Sequence, residues 1–189
     1  MLLMLVGLVV LLGTHAFTTM RDARAAAIAR LGEWPYKGLY SLVSLAGVVM
    51  VAYGYAAWRA SGPAQLWYPP AWTRHLALAL MIAAAILFVA AYLPSHIRTA
   101  LKHPMLVAIK TWAVAHLIAN GDIATIVLAL AVLAWAVYAR ISMKYRDLAP
   151  KPAPAGWSGD AIAVVGGLAL YAFLVYLFHP YVIGVPVIS

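Results

Sequence analysis

Six histidines and no cysteine set the chemistry open to this chain. Without thiols it can make no disulfide, thiolate metal site, iron–sulfur cluster or cysteine nucleophile, so imidazole nitrogens carry whatever ligand chemistry there is. Two histidines stand out by their neighbours. His116 lies inside the run Trp112-Ala113-Val114-Ala115-His116-Leu117-Ile118, and His15 closes the apolar run that starts at Met1. An ionisable group at membrane depth is costly and marks a functional site by default. The two together point to a pair of ligands. His103 cannot share a metal ion with His116, because thirteen residues span ~20 Å of helix and leave the two side chains about 140° apart. His103 falls on the stripe of Lys110, whereas His116 shares its face with Ile109, Trp112, Ala113 and Asn120. His75 and His179 come at the outer ends of apolar stretches, where interfacial polar residues are expected. His96 sits in the connector Pro94-Ser95-His96-Ile97-Arg98, where solvation is expected.

A histidine flanked by an aromatic and by small residues suits a flat macrocycle. The imidazole binds iron, the alanines leave room for the ring, and Trp112 packs on its edge. Haem fits this setting better than zinc, which wants three or four converging nitrogen, oxygen or sulfur ligands. The plain alternative is that His116 hydrogen-bonds a neighbouring helix.

The elements that must position these residues are apolar. Of the 189 residues 66% are hydrophobic and only 10% charged, with a mean hydropathy of +0.93; the chain reads as one integral membrane domain. Six stretches are apolar enough for a hydrocarbon layer of ~30 Å: Met1 to Thr18, Gly38 to Trp58, Arg74 to Leu93, Pro104 to Ala119, Ile123 to Arg140, and Asp160 to Phe178. None alternates with period two, so an all-α, six-helix transmembrane bundle is predicted. The first stretch lacks a basic flank and reads as a permanent helix rather than a cleaved signal. Gly47 and Gly54, seven residues apart, share a stripe on which a neighbouring helix can approach; packing is their expected role.

Basic residues in short loops stay on the cytoplasmic side. Arg21, Arg24, Arg30 and Lys37 follow the first span, Arg98 and Lys102 the third, and Arg140, Lys144, Arg146 and Lys151 the fifth; only Arg59 and Arg74 fall on the other side. Both termini are therefore expected outside, with loops one, three and five in the cytoplasm. The net charge of +8 then faces anionic lipid and needs no nucleic acid to account for it. Pro150, Pro152 and Pro154 make the fifth loop a stiff connector, and Asn120-Gly121-Asp122 a tight outer turn.

Taken together, Gly13-Thr14-His15-Ala16-Phe17 with Arg21, His103-Pro104-Met105, Trp112-Ala113-Val114-Ala115-His116, Asn120-Gly121-Asp122 and His179-Pro180 with Gly184 resemble the NnrU family of small bacterial membrane proteins. The resemblance runs along nearly the whole chain. It implies a part in denitrification, linked to a nitrite and nitric oxide reductase system, and a relation to the plastid 15-cis-zeta-carotene isomerase, an integral membrane enzyme that uses haem b. It further implies bis-His haem b with His15 and His116 as axial ligands. That isomerase carries a cysteine three residues before its second ligand, where this chain has Ala113. A thiolate alternative is absent here, and the resemblance speaks for haem more than for isomerisation.

Two axial imidazoles must lie at similar depth. His15 is six residues from Arg21 and His116 six from Lys110, about 9 Å in each case, so the pair fits if Lys110 snorkels to the surface. Arg21, Arg24, Arg98 and Lys110 are then the cations available to the propionates. Iron held by two imidazoles suits electron transfer or redox sensing; a departing ligand would open it to nitric oxide or to an apolar polyene. Other classes stay open: a haem-dependent isomerase of a lipophilic isoprenoid, a non-catalytic maturation factor for a reductase, and an S-adenosylmethionine-dependent methyltransferase. The last is hinted at by Lys102-His103-Pro104-Met105, but the glycine expected next is replaced by Ala108-Ile109 and the only glutamate is the remote Glu33.

Overall fold

The computed structural model describes residues 1–144 and 154–188. The prolines 150 and 152 and the basic residues 146 and 151 of the fifth loop lie outside the described residues. The fold is all-helical. Among the described residues there are eight α-helices: α1 (Leu2–Phe17), α2 (Arg21–Leu31), α3 (Glu33–Ala60), α4 (Ala71–Ala90), α5 (His96–Leu101), α6 (Pro104–Ala119), α7 (Ile123–Lys144) and α8 (Ser158–Phe173). The last continues directly into a π-helix, Leu174–Ile183. Helices α3, α4, α7 and the continuous α8–π segment are each long and apolar enough to cross a membrane. Helices α1 and α2 pass that test only as a bent pair, and α6 is a shorter apolar helix of 16 residues. The chain divides into two compact units, Met1–Pro63 and Ala64–Ser189.

In the first unit α1 packs along α3. The contact is made by glycines, as the spacing of Gly47 and Gly54 predicts. A Cβ at Gly47 would come within 2.9 Å of the Leu11 backbone nitrogen, and one at Gly7 within 2.7 Å of that of Val51. Met4 is fully buried between them. After Phe17 the chain turns through 90° into α2, a helix the apolar pattern did not mark. The threonines make the break: Thr18 Oγ1 donates to the His15 carbonyl and Thr19 Oγ1 to that of Ala16, both at 2.7 Å. These side chains take acceptors that would otherwise continue the ladder. Every residue of α2 is at least partly exposed, including Arg21, Arg24 and Arg30.

In the second unit α4 packs against both α6 and α8, and α6 against α7. The core is built of alanine: Ala77, Ala84, Ala85 and Ala90 of α4, Ala108, Ala113 and Ala115 of α6, Ala124, Ala129 and Ala136 of α7, and Ala163 of α8 are all buried. Larger apolar side chains such as Leu76, Phe88, Leu130, Val165 and Leu168 face outward. Small residues inside and bulky ones outside reverse the order of a water-soluble protein and match helices that meet in lipid.

The Asn120-Gly121-Asp122 turn joins α6 to α7. The Gly121 carbonyl accepts from Leu66 N at 2.8 Å, and Ile123 N donates to the Ala64 carbonyl at 3.0 Å. A Cβ at Gly121 would collide with the Trp67 carbonyl, so only glycine lets these two loops close. Asp122, 2% exposed, caps α7: its carboxylate accepts from Thr125 N at 2.9 Å and Thr125 Oγ1 at 2.8 Å. Asp122→Ala is expected to cost about 1–2 kcal/mol, the upper part of the range for a lost N-cap, measured by unfolding in detergent. Asp122→Asn, which keeps an acceptor, should recover most of it.

Candidate functional site

Helix α6 opens with Pro104 in its first turn and His103 at the cap, where a missing N–H is harmless. Residues four apart share a face, so Trp112, His116 and Asn120 line one side. The His116 Nδ1 lies 2.8 Å from the Trp112 carbonyl. A carbonyl only accepts, so Nδ1 carries the proton and the lone pair sits on Nε2. The Trp112 ring packs on the imidazole, with centres 4.3 Å apart, and Asn120 Nδ2 donates to the His116 carbonyl at 3.0 Å. Ala113 is fully buried and Lys110 half-buried.

His179, expected as an interfacial polar residue, has a ring neighbour that the sequence reading did not give it. Its ring lies parallel to that of His116 within 20°, the centres 6.4 Å apart. The π-helix brings it there. Pro180 has no N–H and in an α-helix would clash with the carbonyl four residues back, and the wider π turn accommodates it. The Leu174 carbonyl, five residues back, accepts from His179 Nδ1 at 2.8 Å. Gly184, at φ 74°, closes the segment, a conformation that favours glycine. No periodicity links residues 116 and 179; the one local signal is a proline directly after a histidine near the end of an apolar run.

In the first unit, His15 is anchored in the same manner as His116, with Nδ1 2.8 Å from the Leu11 carbonyl and its ring 5.4 Å from that of Tyr40. Arg21 is the first residue of α2, beyond the 90° turn.

The remaining histidines sort by contact. His96 is not a solvated connector. Its Nδ1 donates to Asp160 Oδ2 at 2.8 Å, and the same carboxylate accepts from His96 N at 3.1 Å and Ile97 N at 3.0 Å. Trp157 stacks on the imidazole at 4.2 Å. Asp160 thus ties the start of α5 to the start of α8. An acidic residue at the entrance of an apolar helix needs such partners, which is the signal that could have found the pair. Asp160→Ala should lower the thermal midpoint more than Asp22→Ala on exposed α2, and hydrogen exchange should quicken at the amides of His96 and Ile97. His75 is exposed on the first turn of α4. His103 turns the corner between α5 and α6, after Lys102 at φ 58°.

These donors decide which metals fit. Among the described residues no three histidines or carboxylates converge, which disfavours a tetrahedral ion held by protein alone. His15, His116 and His179 each turn one nitrogen back on a helix carbonyl. That is the usual support of a metal-binding imidazole, because it fixes the tautomer and aims the other nitrogen outward. A centre that needs only two protein nitrogens, such as haem iron, suits this donor set.

No curated protein and no solved structure matches the chain. A family model described as NnrU protein matches residues 3–187. That match takes in His15, the whole of α6 and the His179-Pro180 segment, and the chain belongs to the NnrU family.

Proposed function

We propose that this protein is a haem b-binding membrane protein that supports nitrite and nitric oxide reduction, with His15 and His116 as axial ligands. Its six apolar helical stretches cross the bacterial inner membrane, with both termini periplasmic. The observation that carries the reading is His116: an imidazole anchored through Nδ1 to the Trp112 carbonyl, flanked by the Trp112 ring and fully buried alanines. The anchor presents Nε2 for ligation, and Trp112 limits rotation of the ring. His15 carries the same anchor on Leu11. Arg21 and Lys110 supply cations for the propionates. Haem, when bound, supplies one-electron redox chemistry and an iron able to meet nitric oxide. Family membership supports the link to nitrogen oxides.

The test is the visible spectrum of the detergent-purified protein, oxidised and reduced, with haem extracted and counted. About one haem per chain with sharp reduced bands is expected. A protein that stays colourless when expressed with ample haem, and that binds none in titration, overturns the reading.

A further inference from the structure

We propose that a cavity at the Arg74 end of helix α4 binds an amphiphilic anion: a lipid headgroup phosphate together with the first part of its acyl chain. The site shares no residue with the haem reading above. It belongs to the second unit alone, a space of about 530 Å³ bounded by the Pro69-Pro70 loop, the start of α4, the end of α6 at Ala119 and the tail at Ile188. Small-molecule sites fall within ~300–1,000 Å³, far more room than an inorganic anion fills.

The lining divides by chemistry. Pro69, Pro70, Leu78, Ala119 and Ile188 supply apolar surface, and Arg74 and His75 stand side by side in the same wall. The Thr73 hydroxyl is spent on the Pro70 carbonyl at 2.7 Å, which leaves the guanidinium and the imidazole as the side-chain donors for a ligand. An apolar cavity with a few convergent polar groups is the usual form of a binding site. Here those groups select negative charge.

The charge of Arg74 has no other use in the fold. Arg59 and Arg74 are the two basic residues that fall opposite the basic loops, against the bias that keeps cations on one side of a membrane. No carboxylate among the described residues pairs with Arg74; Asp122 is engaged by Thr125 and Asp160 by His96. Arg74 Nη2 donates to the Val187 carbonyl, one of the five N–H groups of a guanidinium. That bond holds the tail beside the cavity after the turn at Gly184, and a neutral amide would serve it as well. Trp67, Tyr68 and Trp72, in and next to the same loop, are exposed, and such rings favour the headgroup level of a bilayer. A lipid phosphate is the anion met at that depth, and its chain finds the apolar walls.

The test titrates lysophosphatidylglycerol into the full-length protein in a non-ionic detergent and counts bound lipid by native mass spectrometry. Two variants change charge at exposed positions: Arg74→Gln, which keeps an N–H donor for the Val187 carbonyl, and Ile188→Glu, which sets a like charge in the wall. Wild type is expected to hold one equivalent, and each variant to bind at least about tenfold more weakly, the loss of one hydrogen bond to a charged group. Lysophosphatidylcholine, whose headgroup carries no net charge, should bind more weakly by a similar factor, and glycerol 3-phosphate, which has no chain, should not bind. Wild-type affinity in Arg74→Gln overturns the proposal. So does equal binding of the two lysolipids, which would mean that the headgroup is not read, or glycerol 3-phosphate binding as tightly as the lysolipid, which would make this a site for free anions.

Discussion

Replacing His116 by alanine is expected to remove the reduced haem bands altogether, with less than about a tenth of the wild-type haem retained after purification. His116 is the ligand on which the haem reading rests, anchored through Nδ1 to the Trp112 carbonyl, so its loss is not compensated by the imidazole that stands opposite. Supporting partners of ligands cost about 10–100-fold in metal affinity when removed, and loss of the ligand itself should exceed that. Trp112→Ala provides a graded comparison. It leaves the backbone carbonyl that anchors Nδ1 but removes the ring packed at 4.3 Å, so haem should be retained with a broadened spectrum and weaker affinity. His103→Ala should leave the bands unchanged, because His103 stands at the N-terminal boundary of α6 and lies ~20 Å along the helix from His116. Bands that survive His116→Ala and disappear with His103→Ala would move the centre to the other end of α6.

The second large effect is expected at Gly54. Glycine to alanine within a helix gains about 1 kcal/mol in propensity, and at Gly13 or Gly38, where an added Cβ meets nothing within 4 Å, this gain should appear. At Gly54 the added carbon would run into the backbone nitrogen and Cα of Met4. Backbone atoms of a packed helix cannot step aside as a flexible side chain can. Overpacking costs about 1–3 kcal/mol and at times more, so a net loss of about 2 kcal/mol is expected after the propensity gain. Unfolding by titration with denaturing detergent should show Gly54→Ala falling and Gly13→Ala rising relative to wild type. Equal shifts in both would mean that α1 and α3 do not meet as tightly as the glycines imply.

What could be read from the chain was local. Helix α6 runs from Pro104 to Ala119, the limits expected from a proline at its start and Asn120-Gly121 at its end. Gly47 and Gly54 serve packing, and the neighbourhood of Trp112 and His116 follows from four-residue spacing. The unforeseen features depend on contacts between distant residues or on competition within the backbone. His96 meets Asp160 across 64 positions and His179 meets His116 across 63, and no periodicity encodes either. The break after Phe17 arises from two threonine hydroxyls that capture carbonyls, where the apolar composition alone favoured a plain end to a span followed by a loop. The π-helix is set by Pro180 acting on its own preceding turn, an effect that hydropathy does not register.

That widened turn has an evolutionary corollary. A π segment differs from an α-helix as if extra residue had been fitted into each turn, so it acts as a phase setting for everything that follows. Excising one amino acid between Leu174 and His179 would return the winding to ordinary pitch and swing the imidazole by about 100° around the axis, facing a different neighbour. Among relatives, the length of this short stretch should therefore be held more rigidly than the identity of its apolar residues, with gaps in an alignment falling on either side of it.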